Sequence, residues 1–377
     1  MKTLFSMVAD YIRETDKIML MLVTAASGYG CLAVFSATYP SGSPRQFLVQ
    51  IISMLAGLVV AIIISNIDYN DIIKWWYFVV PIGLIPVILT FFFGYAPGNT
   101  DDKAWLLLPG GTSFQPSELL KICFIITFSA HLSAVKKNIN KIKVLLPVVL
   151  HGIFPVALIF IQGDFGTAIV FAVIFIFMLF TAELKLRYII ASIVTALVAS
   201  PFVYFFILND AHRERISTMF NLEADLLGGG YQQWQGRIAL ANGGIFGQGY
   251  LKGELTQAET VPEGHNDFIF VSIGEELGLL GCLAVAILLV AICLRCIRVA
   301  KLCNTDSAKF IAIGVFGMIM AQTVINLGMC LSVLPVIGVT LPFFSAGGTS
   351  LICLMLGIGL ILSLYKHRNS GAIHIQL

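Results

Sequence analysis

The amino-acid sequence specifies an all-α, polytopic membrane protein of about ten transmembrane helices, with a large extracellular loop between helices seven and eight. The chain of 377 residues is 58% hydrophobic and only 12% charged, with a mean hydropathy of +0.91. A soluble globule carries about 25% charged residues. Apolar runs of membrane-crossing length recur along the chain. Lys and Arg gather in alternate short loops, the pattern of a membrane protein with one cytoplasmic side. A net charge of +2 makes no case for nucleic acid as a partner. Residues 1–377 read as one transmembrane domain.

The elements follow in order. Met1 to Lys17 carries both signs of charge and lacks a small-residue cleavage site, so it reads as a cytoplasmic lead-in and not a removable signal peptide. Spans are expected near 18–39, 47–65, 76–96, 117–134, 144–162, 165–182, 188–208, 267–294, 310–334 and 345–365. The break at QGDFG (162–166) is either a tight hairpin or one interrupted helix. Lys136, Lys137, Lys141 and Lys143, then Lys185 and Arg187, then Arg295, Arg298, Lys301 and Lys309, and finally Lys366 and Arg368 all fall on one side of a ten-span chain. The opposite short loops offer little beyond Arg45 and Lys103. Both termini are therefore expected in the cytoplasm, with 209–266 and its junction at Asp267 facing outward.

Segment 209–266 is too short and polar to bury a good core of its own. Within it, YQQWQGRIALA (231–241) mixes polar and apolar positions with helical spacing, suited to the membrane surface. GGIFGQG (243–249) has no preceding strand and no following GK[ST] helix, so it is not a phosphate loop. It reads as tightly turning backbone near a site, or as a plain flexible loop. The eight cysteines lie in or beside apolar spans, so no structural disulfide is expected. Cys293-Leu-Arg-Cys296 has no second pair or His nearby to make a zinc or redox motif.

Five places break the apolar pattern. VPEGHNDFIF (261–270) runs into GEELGLLG (274–281), which sets Asp267 and His265 where water meets lipid, a costly position for a carboxylate. Only one of Glu275 and Glu276 can share the face of Asp267 on a helix. FQPSELLK (114–121) opens the fourth span. Pro116 suits its first turn, and Ser117 can cap it or lie in that turn, with Gln115 just before. Glu118 and Lys121 share a face at i,i+3 and must look into the bundle or a wet cavity. They read as a structural ion pair, as a cation offered to an anionic substrate, or as both. Trp105, beside Lys103, suits the membrane interface by its ring and equally a substrate contact. Asp164, followed by Thr167, has three readings: pairing with Lys121, holding a cation, or simply capping the next helix, which is the cheapest. LPFFSAGGTS (341–350) offers close helix packing and the hydroxyls of Ser345 and Ser350. No Walker, HExxH, GxSxG or Rossmann pattern is present.

Taken together, Trp105 with FQPSELLK, GDFGTA (163–168), PEGHNDFIF with GEELGLLG, and NLGM with LPVIGVTLPFFSAGGTS (326–350) resemble the SEDS family (shape, elongation, division and sporulation; RodA, FtsW and SpoVE proteins). The likeness spans nearly the whole chain. Its VTLPFFSAGG block and short tails lean toward the rod-shape branch. The family usually has Pro at Gly163, Thr at Asn266, Tyr at Ala346 and a basic residue at Ala104.

The resemblance implies a peptidoglycan glycosyltransferase that polymerises lipid II at the outer face of the bacterial cytoplasmic membrane, beside a class B penicillin-binding protein. It maps the family's essential acid to Asp267, its Trp to Trp105, and its Glu/Lys pair to Glu118 and Lys121. Glycan extension needs a base for a sugar hydroxyl, the role expected of Asp267. The departing lipid diphosphate needs cations: Lys121 first, with Lys103, Arg213 or Arg237 assisting. A divalent cation, Mg or Mn, can share that work, although no ligand set stands out. Two other classes fit a polar membrane interior: a lipid II flippase, and a non-catalytic scaffold for a transpeptidase. Polar residues at the outer ends of spans favour the enzyme.

Overall fold

The structure, a computed structural model, describes residues 13–96, 103–108, 112–208, 210–220 and 230–369. Among these, nine helices are long and apolar enough to cross a membrane, and the apolar helix Phe165–Thr181 is shorter. The sequence-based boundaries agree to within a few residues except at the eighth span.

The first spans are α1 (Lys17–Thr38) and α2 (Arg45–Ser65), followed by a short α3 (Tyr69–Lys74) and α4 (Trp76–Phe93). Asp16 caps α1 by accepting from the Met19 amide at 3.1 Å. Its other oxygen accepts from Arg295 Nε at 2.6 Å, so one carboxylate starts a helix and ties it to a distant one. On α2 the small residues Ser53, Gly57, Ala61 and Ser65 recur every fourth position and are all buried. They let the last helix approach closely: Met355 and Ile352 lie over Gly57, and Gly359 lies over Ala61 and Ile64.

A two-stranded hairpin comes next, β1 (Leu106–Leu108) against β2 (Thr112–Phe114), antiparallel with Leu106 opposite Phe114. The all-α reading missed it, because its strands are only three residues long. It leads into α5 (Pro116–Val135). Helices α6 (Ile142–Ile161) and α7 (Phe165–Thr181) resolve the QGDFG break as a tight hairpin. Gly163 turns it at φ +95°, and Gly152 on α6 lies against the Phe175 ring on α7. Helix α8 (Leu186–Phe202) runs into a π-helical stretch (Val203–Ile207). None of its span is buried in the bundle, whereas α5 and the last two helices are the most enclosed.

The 209–266 segment contributes α9 (Asp210–Phe220), α10 (Tyr231–Gly243) and the short α11 (Glu254–Gln257). Helix α10 is docked on the bundle. Buried Gln233 donates to the carbonyls of Met329 (3.3 Å) and Leu334 (2.8 Å), and Gly236 sits on the Phe268 ring.

Helix α12 (Ile269–Leu302) differs most from expectation. It is 34 residues long and broken at Gly278, where φ is +65° and ψ −164°. The glycine-rich run 243–249 is docked on the break and completes its hydrogen bonding. The Leu279 and Leu280 amides donate to the carbonyls of Gly244 (2.9 Å) and Ile245 (3.3 Å), while the carbonyls of Glu275 and Glu276 accept from the amides of Gln248 (3.0 Å) and Gly249 (2.9 Å). Interrupted backbone inside a membrane bundle requires such partners. The side chains of Glu275 and Glu276 turn to the segment 253–257 that follows this run. Glu275 takes the amides of Leu255 and Thr256 and the Thr256 hydroxyl. Glu276 accepts from Ser36 and Gln257. Helices α13 (Asp306–Cys330) and α14 (Gly348–Lys366) complete the bundle.

Candidate active site

The first turn of α5 carries a buried ion pair. Lys121 Nζ lies 2.7 Å from Glu118 Oε1, and Lys121 is only 1% exposed. Ser350 on α14 donates to Glu118 Oε2 at 3.3 Å. A buried charge is tolerated only when so partnered, and this one joins two helices. Ser117 is buried in the same turn, and its hydroxyl finds no hydrogen-bond partner among the described residues.

Asp164 caps α7, accepting from the Thr167 amide at 2.9 Å. Its second oxygen accepts from Gln115 Nε2 at 2.9 Å. The capping reading of Asp164 therefore holds, with Gln115 as an added partner. Lys121 acts on Asp164 through its charge and makes its ion pair with Glu118. The hairpin pairs Leu106, next to Trp105, with Phe114, next to Gln115. Trp105 also exchanges backbone hydrogen bonds with Tyr95, at 2.9 and 3.4 Å. Trp105 is half-buried and Lys103 exposed.

Asp267 stands on the turn that opens α12. The carbonyl of Glu263 accepts from the amides of Asn266 (2.9 Å) and Phe268 (3.1 Å), which curls the backbone. Asn326, fully buried on α13, donates from one amide nitrogen to the carbonyls of Asp267 (2.8 Å) and Val339 (2.7 Å). Asn326 thereby pins the Asp267 turn to the loop that follows α13. On that loop Gly338 adopts φ +68°, and a Cβ placed there would stand 3.6 Å from Asp267 Oδ2. Asp267 as a residue is half-buried, with its carboxyl turned inward. Burial pushes its pKa up to about 7, with the charges of Glu263 and Asp164 adding to the rise and Arg215 opposing it. Such a group is divided between acid and base near neutrality, as a general base requires.

His265 faces away from that loop. Its Nε2 lies 3.0 Å from Gln46 Nε2, and its backbone carbonyl accepts from the Ala346 amide at 2.9 Å. Ser345 both donates to the Asn266 carbonyl (2.8 Å) and accepts from the Leu341 amide (2.7 Å). The structure thus gives Ser345 the work of locking a turn beside Asp267.

Arg213 donates to the carbonyls of Tyr204 (2.9 Å) and Phe205 (2.8 Å) at the end of the π-helical stretch. Arg215, two residues on, is the α9 cation whose charge reaches Asp267. Sequence reasoning missed Asn326, Arg215 and Gln50. Buried Gln50 donates to the Ser345 carbonyl (3.1 Å) and accepts from the Gly347 amide (3.2 Å). The available signal was an amide side chain inside an apolar run, where an unpaired one is expensive. Among the described residues no group of three or more His, Cys, Asp or Glu converges as a metal site.

The chain as a whole resembles known proteins in sequence and in fold. The chain is 32% identical over 357 residues to the peptidoglycan glycosyltransferase MrdB of Escherichia coli K12, covering 94% of each. It is 32% identical over 369 residues to the "probable peptidoglycan glycosyltransferase FtsW" of Geobacter metallireducens, covering 93% of this chain and 95% of that one. A chain solved in a peptidoglycan synthase complex that coordinates polymerization and crosslinking superposes with a TM-score of 0.81 at 25% identity, over 95% of this chain and 99% of that one. The rod shape determining protein RodA of Thermus thermophilus shares the fold, with a TM-score of 0.70 at 23% identity over 95% and 98% of the two chains. A family model described as cell cycle protein, covering FtsW, RodA and SpoVE, matches residues 16–370. From the ion pair on α5 to the carboxylate at the mouth of α12, the chain belongs to the FtsW/RodA/SpoVE family of cell cycle proteins.

Proposed function

We propose that this protein is a peptidoglycan glycosyltransferase that polymerises lipid II into glycan strands. The carrying observation is Asp267, a carboxyl raised to about 7 at the same end of the bundle as the Glu118–Lys121 pair. In this reading Asp267 takes the proton from the acceptor sugar hydroxyl. The hydroxyl oxygen then bonds to the anomeric carbon of the donor sugar. The bond from that carbon to phosphate oxygen breaks, and the lipid diphosphate leaves with the electron pair. Lys121, steadied by Glu118, sits to offset the growing negative charge, and Trp105 and Gln115 line the approach. A divalent cation, when bound, would add positive charge at the diphosphate.

The reading places the enzyme in the bacterial cytoplasmic membrane. Asp267 then faces outward, both termini lie in the cytoplasm, and a class B penicillin-binding protein crosslinks the product. The ion pairs Arg295–Asp16 and Lys136–Asp306 lie at the opposite, basic end, which supports that orientation. A flippase needs polar groups along a path through the whole bilayer. Here Glu118, Lys121, Asp164 and Asp267 gather at one end, which favours the enzyme. The same intact set disfavours a silent scaffold.

The test is polymerisation of purified lipid II in detergent, with and without the cognate transpeptidase, by wild type and Asp267→Ala. Glycan ladders are expected from wild type only, the variant falling by about a hundredfold to ten-thousandfold. Equal ladders would remove Asp267 as base. No ladder from either protein, with an active partner present, would overturn the polymerase reading.

A further inference from the structure

The turn carrying Asp267 has two sides. Asp267 itself faces Gly338, whereas His265 lines a separate cavity of about 410 Å³. That cavity lies between the α1–α2 connection and residues 256–265. Its volume falls within the range of about 300–1,000 Å³ usual for small-molecule sites. Ser41, Ser43, Arg45 and Gln46 form one wall, and Glu259 and Glu263 are on the other.

The lining says what would fit. Hydroxyls, an amide, a guanidinium and carboxylates, interleaved with Ala37, Val261 and Pro262, suit a ligand that combines many donors and acceptors with an apolar ring face, as a sugar does, and disfavour a wholly apolar lipid chain. Two carboxylates face one guanidinium, and burial holds the His265 imidazole toward its neutral form by lowering its pKa. A diphosphate would meet net negative charge there. A neutral hydroxyl- and acetamido-bearing ligand meets no such penalty. Glu263 belongs to both sides: it lines this cavity and its charge acts on Asp267. The wall between them is the single turn 262–266, curled by the bonds to the Glu263 carbonyl.

We propose that this cavity is a second carbohydrate subsite, which holds neutral N-acetylhexosamine units of the strand next to the unit reacting at Asp267. The inference rests on the polymerase reading above. A strand held there stays on the enzyme between additions, so the subsite governs strand length, not the bond-forming step.

Ser43→Trp tests this, because Ser43 is exposed on the α1–α2 connection and an indole there fills the cavity without entering the bundle. The first measurement is binding of a neutral N-acetylglucosamine tetramer to the detergent-purified full chain by ligand-observed NMR. Wild type and Asp267→Asn are expected to bind it, and Ser43→Trp to bind about tenfold more weakly. The second is lipid II polymerisation. Ser43→Trp is expected to give strands severalfold shorter at an initial rate of bond formation close to wild type, a split that a merely destabilised protein would not show.

Tetramer binding that survives in Ser43→Trp, or that a free stem peptide replaces while the sugar fails to bind, overturns the subsite. Wild-type strands whose length Ser43→Trp leaves unchanged also overturn it, with the polymerase intact. A wild type that makes no strands removes the polymerase reading itself, and the role in strand length with it.

Discussion

Replacing Glu263 by Gln should shift the pH at which the enzyme switches on. A carboxyl with a pKa of about 7 is ionised in about one molecule in ten at pH 6, half at pH 7 and nine in ten at pH 8. A base must be ionised to act, so the initial rate should fall about tenfold per pH unit on the acid side of neutrality. Glu263 helps hold that pKa up and Arg215 holds it down. Glu263→Gln should therefore move the acid limb to lower pH, and Arg215→Gln should move it higher. Initial rates of lipid II polymerisation from about pH 5 to pH 8 read this directly. A flat wild-type profile, or a Glu263→Gln limb displaced upward, would refute the reasoning.

The stability consequence has a definite sign. The folded pKa lies above the unfolded one, so the folded protein binds more protons between about pH 4 and pH 7 and loses stability as pH rises through that window. Asp267→Asn should consequently melt higher than wild type above neutrality and lose that advantage in acid.

Further outcomes are expected. Lys121→Ala should cost about 3–5 kcal/mol by stranding buried Glu118, seen as a lower thermal midpoint in detergent. Lys121→Met with Glu118→Leu should recover much of that midpoint without recovering polymerisation. Asn326→Leu leaves the carbonyls of Asp267 and Val339 without their shared donor, costing about 1–3 kcal/mol for each one left unpaired, and should lower polymerisation and thermal midpoint together. Gly278→Ala places a Cβ against the Ile245 carbonyl at a left-handed φ, a strain of about 1–3 kcal/mol, and should make the 209–266 segment easier to cleave in limited proteolysis.

Much of the architecture was legible because lipid leaves the backbone few choices. Apolar length alone gave α1, α2, α5 and α13 to within a few residues. The i,i+3 spacing of Glu118 and Lys121 announced a shared face, and the GDFG turn announced a cap. What remained hidden was long-range pairing. Gln50 and Ser345 lie 295 residues apart, and Asn326 reaches Asp267 across 59. Local periodicity carries no trace of such partners. The break at Gly278 was hidden for a similar reason. A glycine inside an apolar run reads as packing until the loop that occupies the gap is seen.

That loop also sets an order of assembly. Residues 244–249 precede α12 in the chain yet supply the carbonyls and amides its interrupted middle needs. Helix α12 cannot reach its final hydrogen-bonded state in lipid until the segment made just before it has folded back onto it. Docking of that segment is thus a condition on assembly: a chain in which it has not yet docked retains a helix with four unanswered backbone groups.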